Sequence, residues 1–321
     1  RAELWMLPHR SSSTRATSLL LPSTTQKKKK KTNTALKSLL DRPQSKPTSD
    51  IEHLCLLRTC RETLSLSSAK RIQILLSLHG FDRIRPFSED LLATLCKCGA
   101  FHESLVLFNK LCIRSVFVWT AILSCYTDNG HPKEAITLYK HMRKDGVSPD
   151  SYTFVVLFKA CGLIRDLDEG KLFHAEARSR GFCSDLFVGN TLISMYGKCG
   201  SLSDCERTFL EMSSRDIVSC NALLSAYVDQ GLPEKALLFY RQIHEEEQEQ
   251  GCLGLCMDEH TFVFTLRATR IYAESEEGYF IHEERPFPML VSREIALSLH
   301  ADARKRGFTC NKFIGNTLVS V

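Results

Sequence analysis

Residues Val116 to Asp150 read VFVWTAILSCYTDNGHPKEAITLYKHMRKDGVSPD, and this stretch decides the fold. In its first half Trp119, Ile122, Leu123 and Tyr126 recur at i, i+3, i+4 and i+7; in its second half Ala135, Leu138, Tyr139 and Met142 do the same. Each half carries one apolar helical face, so two amphipathic helices are predicted. Gly130 suits the end of the first helix, Pro132 the first turn of the second and Gly146 a C-terminal cap, while Ser148-Pro149-Asp150 turns the chain out of the helix. A hairpin this short cannot bury both stripes by itself. Neighbouring copies must cover them.

Copies are present. KCG stands at 97 to 99 and again at 198 to 200, HGF at 79 to 81 matches RGF at 180 to 182, and Cys60 matches Cys161; each offset is 101 residues. Dividing that period by the hairpin length gives units at 50–84, 85–115 and 116–150, of 35, 31 and 35 residues, followed by 151–185, 186–216 and 217–258. The last of these is lengthened by EEEQEQGCLGLC. A seventh unit starts at Glu259 and a truncated eighth at Lys312, where FIGNTLVSV copies FVGNTLISM of 187 to 195. The fold class expected is all-α, a solenoid of helix-turn-helix repeats.

The 35-residue unit ends in Gly-x-x-Pro-Asp. It alternates with a 35-residue unit carrying TF…AC…G…H…GF and a 31-residue unit of the form VGNTLISMYGKCGSLSDCERTFLEM. This pattern resembles the pentatricopeptide repeats of land-plant organelles, and the alternation is similar to their subclass of long and short variants, the PLS class. The resemblance covers 50–269 and 298–321. Tetratricopeptide repeats are also helical hairpins of about 34 residues, but they do not alternate in this way, and their W-x-x-L-G signature is absent. The resemblance implies a right-handed superhelix that binds single-stranded organelle RNA.

The first 49 residues are different material, with 11 Lys or Arg against Glu3 and Asp41, many hydroxyl residues and no sustained apolar face. They read as an organellar transit peptide, directed to the mitochondrion or alternatively the chloroplast; a nuclear signal or solvated tail is the competing reading of Lys27 to Lys31. Arg1 is not an initiator residue, so the chain is expected to be a fragment or to carry an upstream extension, with Met6 as a candidate start. No apolar run approaches the ~18 residues that span a bilayer, and no membrane association is expected.

With those 49 residues set aside, 31 basic and 35 acidic residues remain, a balance of −4 in place of +5 for the whole chain. A repeat array of that charge cannot rest RNA affinity mainly on counterion release. Contacts to bases in a groove must carry it.

The 14 cysteines follow the repeat: Cys60 and Cys161 are equivalent, as are Cys98 and Cys199. They read as small apolar fillers between helices. Cys96-Lys97-Cys98 and Cys252…Cys256 have the wrong spacing for zinc, so no metal or other cofactor is expected. Many proteins of the alternating subclass end in a deaminase-like domain, whose chemistry needs H-x-E followed by P-C-x-x-C. His244-Glu245-Glu246 and His282-Glu283-Glu284 match the first part only, so no catalytic centre and no small-molecule substrate are expected in this chain. Residues 270–297, RIYAESEEGYFIHEERPFPMLVSREIAL, break the seventh unit and are expected to be an irregular insertion.

Two functions fit a groove of stacked hairpins: reading single-stranded RNA, or serving as a protein-interaction scaffold. A base reader needs short hydrogen-bonding residues at one place in each unit, flanked by flat or branched apolar surface. The fifth residue of the units is Thr120, Asn190 or Asn221 and the last is Asp150, Asp216 or Asp258. The second residue is Phe117, Tyr152, Phe187 or Val218, able to sandwich bases or simply to pack between repeats. The resemblance implies that fifth and last residues jointly contact the Watson–Crick edge. Thr120 with Asp150 would favour G, Asn190 with Asp216 U or C, and Asn221 with Asp258 U, this last weakened if the insertion after His244 displaces Asp258. Val155 with Asp185 would specify weakly, and Glu89 with Ser115 fits no pairing. With RNA running 5′ to 3′ along the repeats, the implied core is G-N-Y-U. The role implied is to mark sites of C-to-U editing, with editing co-factors or a deaminase-domain protein doing the chemistry; RNA stability or processing is the alternative.

Overall fold

The computed structural model describes residues 50–78, 80–81, 84–250, 256–279 and 288–308. The first 49 residues, His282 and the truncated eighth unit lie outside the described residues. Within them the regular elements are α1 (Asp50–Thr63), α2 (Leu66–Leu78), α3 (Phe87–Lys97), α4 (Phe101–Lys110), α5 (Val116–Asp128), α6 (Pro132–Lys144), α7 (Ser151–Ile164), α8 (Leu167–Ser179), α9 (Leu186–Lys198), α10 (Leu202–Glu211), α11 (Ile217–Asp229), α12 (Pro233–Gln250), α13 (Glu259–Tyr279) and α14 (Pro288–Lys305), with one 3₁₀ turn at Phe182–Ser184. The fold is all-α, as the periodicity requires.

The chain forms two compact bodies, one ending at Thr94 and one starting at Leu95. In the first, α1 and α2 make a hairpin, and Thr94 Oγ1 donates to the Leu57 carbonyl at 3.5 Å while Arg61 Nη2 meets Asp90 Oδ1 at 3.0 Å.

In the second body α5 and α6 form the hairpin described above. Ser115 caps α5 by accepting from Val118 N, Pro132 occupies the first turn of α6, and Gly130 and Gly146 take left-handed φ of 84° and 73° where the chain leaves each helix. Trp119, Ile122 and Leu123 are buried, and so are Ala135, Tyr139 and Met142. Burial of each large apolar side chain contributes about 1.5–3 kcal/mol. The covering groups come from neighbouring hairpins: Phe108 meets Trp119 edge-on at 5.0 Å and Phe173 meets Tyr139 edge-on at 5.5 Å. The first helices α5, α7, α9, α11 and α13 pack successively against one another, with the second helices flanking that row. The row places Thr120, Asn190 and Asn221 each beside the first helix of the next unit.

Part of the stretch expected to be irregular is helical, and so is the start of the acidic insertion. The acidic insertion continues α12 to Gln250, because Glu and Gln are good helix formers. Its buried Glu247 is fixed by a two-pronged pair with Arg306, both contacts at 2.8 Å, and accepts from Met257 N at 3.2 Å. Within 270–297, α13 runs on through Tyr279 and α14 begins at Pro288. RIYAESEE contains no proline, and its Arg270–Glu274 pair, 3.4 Å apart and four residues apart, supports a helix that no repeat pattern announces.

Candidate nucleic-acid interface

The last residue of a unit is also the N-cap of the helix that opens the next. Asp150 accepts from Thr153 N at 2.8 Å, Asp216 from Ser219 N at 2.9 Å and Asp258 from Thr261 N at 3.1 Å. In each case the hydroxyl side chain three residues on closes a capping box by taking the aspartate's own backbone N–H. The carboxylate is thereby held in one place, beside residue 5 of its own unit.

That residue completes a three-membered polar cluster. Asn190 Nδ2 donates to Asp216 Oδ1 at 3.1 Å, and Ser219 Oγ donates to Asn190 Oδ1 at 2.6 Å. Asn221 Nδ2 donates to Asp258 Oδ1 at 2.8 Å, and Thr261 Oγ1 donates to Asn221 Oδ1 at 2.8 Å. The insertion therefore does not displace Asp258 from Asn221. Thr120 is joined to Asp150 through one more atom: the Thr120 and Thr153 hydroxyl oxygens are 2.8 Å apart, and Thr153 donates to Asp150 Oδ1 at 2.7 Å. All three carboxylates engage their partners through Oδ1, leaving Oδ2 outside the network. Thr120, Asn190 and Asn221 keep 8, 8 and 7 % of their surface, so only an edge of each remains open.

Among the described residues the 151–185 and 85–115 units lack the cluster. Asp185 caps α9 through Phe187 N and Val188 N, but Val155 has no polar group and the third residue of the next unit is Val188. Glu89 is held by Arg85, whose Nε donates to it at 2.7 Å, and Ser115 caps α5.

The repeat families described as PPR repeat family and PPR repeat match residues 114–162 and residues 190–217 and 218–247. A pentatricopeptide repeat-containing protein of Arabidopsis thaliana, At2g39620, is 31 % identical over 230 residues, which is 71 % of this chain and 27 % of that one. The chain is a pentatricopeptide repeat protein. A second Arabidopsis relative, At1g15510, named chloroplastic, is 30 % identical over 71 % of this chain and 26 % of its own; a third, At3g13770, named mitochondrial, is 27 % identical over 76 % and 39 %. The chain thus spans about a quarter to two fifths of the length of these pentatricopeptide relatives. Among solved structures it is similar to the pentatricopeptide repeat protein PPR10 in complex with an 18-nt psaJ RNA element, at 16 % identity and a TM-score of 0.46, over 82 % of this chain and 42 % of that one.

Within the pentatricopeptide units the second residues differ in exposure. Phe187 and Val218 are 44 and 42 % exposed, whereas Phe117 and Tyr152 are half-buried. Residues 2 and 5 lie three apart on the same helical face, so Phe187 flanks Asn190 and Val218 flanks Asn221. The third-position hydroxyls Thr153, Ser219 and Thr261 were not among the residues singled out from sequence. Their signal is present as D-x-x-[ST] at 150–153, 216–219 and 258–261, broken at 185–188.

Several other chemistry-bearing residues are built into the core. Burial pushes the thiols of Cys161, Cys205 and Cys220 up to about 12, keeping them protonated. Cys60 and Cys161 are buried fillers, whereas Cys199 sits half-buried at the end of α9. His174 Nδ1 lies 2.7 Å from the Tyr196 hydroxyl, and burial, aided by the Arg178 charge, lowers its pKa. His244 stacks on Tyr240, with Glu245 and Glu246 exposed beside it. Among the described residues no group of three or more His, Cys, Asp and Glu is placed to hold a metal ion.

Proposed function

We propose that the chain reads single-stranded RNA one base per pentatricopeptide unit, in a plant organelle, and that it marks sites of C-to-U editing as a member of the alternating PLS subclass. The observation that carries this reading is the recurrence of one polar cluster, residue 5 beside the last residue, at the same register in three units. A surface for peptides has no reason to repeat a short polar pair at one register of the unit, 70 residues on from Thr120 at Asn190 and 31 further at Asn221. A base reader requires it.

Asn190 and Asn221 each retain an amide N–H and a carbonyl lone pair, beside a free Oδ2. This mixed edge suits pyrimidines. Thr120 with Asp150 suits G, and Val155 with Asp185 leaves its base unspecified, giving the core G-N-Y-U along the repeats. Phe187 and Val218 supply apolar surface for stacking. The near-neutral array makes base contacts, rather than phosphate neutralisation, the main source of affinity. The chain itself contributes no chemistry to the edit; a deaminase-domain protein or extension supplies it.

Fluorescence anisotropy with labelled single-stranded RNAs tests the reading. Tighter binding to an RNA containing G-N-Y-U than to a scrambled sequence of the same composition is expected, and equal binding to both overturns it. Residues 1–49 direct import into the organelle, with 11 basic against 2 acidic residues as the motive. A fluorescent protein fused behind them should enter mitochondria or plastids, and steady cytosolic or nuclear signal refutes import.

A further inference from the structure

Thr153 is neither a second, a fifth nor a last residue, yet it stands at the centre of the first polar cluster. Its hydroxyl oxygen is 2.7 Å from Asp150 Oδ1, 2.8 Å from Thr120 Oγ1 and 3.3 Å from Asp150 N. We propose that Thr153 is a positioning residue that sets the base preference of the 116–150 unit by turning the Thr120 proton inward; this deepens the RNA-reading proposal and rests on it.

A hydroxyl has one proton and two lone pairs. Asp150 Oδ1 otherwise receives Thr153 N–H alone and keeps a lone pair for the Thr153 hydroxyl. Asp216 Oδ1, in contrast, already receives the Asn190 amide and Ser219 N–H, which leaves the Ser219 proton for the Asn190 carbonyl. Charge-assisted bonds are also about twice as strong as neutral ones. The Thr153 proton therefore goes to Asp150 Oδ1. Its two lone pairs then receive the Asp150 N–H and the Thr120 hydroxyl proton, and Thr153 is saturated. With its proton committed inward, Thr120 can offer only a lone pair at its open edge. Beside it, Asp150 Oδ2 is also an acceptor only. The pair thus presents two adjacent acceptors. Guanine presents two adjacent donors on its Watson–Crick edge, N1–H and the 2-amino group. Adenine, uracil and cytosine each place an acceptor against this surface.

The other units show why the control is local. Where residue 5 is Asn, it carries its own donor and acceptor, and the equivalent hydroxyls of Ser219 and Thr261 only fix which end of the amide meets the carboxylate. Where the third residue is Val188, no hydroxyl is present. Among the described units it is at Thr120 that the neighbouring hydroxyl decides between donor and acceptor.

The test uses the full chain, wild type, Thr153→Val and Thr153→Ser, titrated by fluorescence anisotropy against two RNAs that differ only in G or A at the first core position, with thermal melts of each protein. Wild type and Thr153→Ser should favour G about tenfold. Thr153→Val frees the Thr120 proton to donate to adenine N1, so the ratio should fall below about threefold, mainly through tighter binding of the A-containing RNA. A purely structural residue would weaken both RNAs equally, and an unchanged ratio in Thr153→Val overturns the proposal. Thr153→Cys, near-isosteric and a weak donor, carries the same comparison if the valine variant does not fold cooperatively. A wild type that binds both RNAs equally overturns the reading of this unit as a base reader, and the inference with it.

Discussion

Asn221 donates to Asp258 at 2.8 Å across 37 residues of chain, and the same Asp258 oxygen caps α13 by accepting from His260 N and Thr261 N. One carboxylate thus starts a helix and orients the amide proposed to face a base. The two tasks are separable. Asn is as good an N-cap as Asp, so Asp258→Asn should leave the thermal midpoint nearly unchanged, whereas Asp258→Ala should cost about 1 kcal/mol. Both should lose the preference for U at the last core position, as gel-shift titration with the four bases would show. A loss of preference confined to the unstable variant would tie the effect to helix capping.

The silent unit is expected to be convertible. Val155, Asp185 and Val188 occupy the places held by Asn190, Asp216 and Ser219 in the next pair of units. Val155→Asn with Val188→Thr rebuilds the cluster, the new buried hydroxyl finding Asp185 as a partner. The double variant should gain a preference of about fivefold or more for pyrimidine at N, where wild type is indifferent. Val155→Asn alone should gain less. A double variant still indifferent at N counts against residue 5 facing the RNA.

Stacking of the first helices has a sharp local requirement. A methyl group on Gly197 of α9 would lie 2.7 Å from Ala226 Cβ and 3.4 Å from Ala226 Cα on α11. Neither backbone can yield without parting the helices, so Gly197→Ala should destabilise by about 1–3 kcal/mol. Ala226→Gly should relieve the clash. Thermal unfolding of the four proteins in this double-mutant cycle should give a coupling above about 0.5 kcal/mol, and strict additivity would contradict the contact.

The hairpins were legible because two independent signals coincide in each: apolar spacing of 3.6 residues, and Gly, Pro and Asp where the helices end. Thr120, Asn190 and Asn221 drew attention through their place in the unit, yet nothing in the spacing shows that Thr120 reaches Asp150 only through Thr153. A Ser or Thr three residues after Asp reads as an ordinary helix cap, and its second task at Asn190 or Thr120 exists only once the neighbouring unit is packed against it. Residues 270–279, expected to be irregular, continue α13, because good helix formers and the Arg270–Glu274 pair favour a helix that no repeat announces.

The central claim is that residue 5 and the last residue face the RNA together, and Asp150→Asn tests it most directly. The substitution keeps the cap and the shape but replaces an acceptor with an amide able to donate. Gel-shift titrations of wild type and Asp150→Asn, against RNAs with G or A at the first core position, should show wild type favouring G and the variant favouring A. A reversal of about tenfold corresponds to the 1–3 kcal/mol expected of one well-aligned contact to a base edge. Identical preferences in the two proteins would contradict the account, because Thr120 and Asp150 would then not face the RNA.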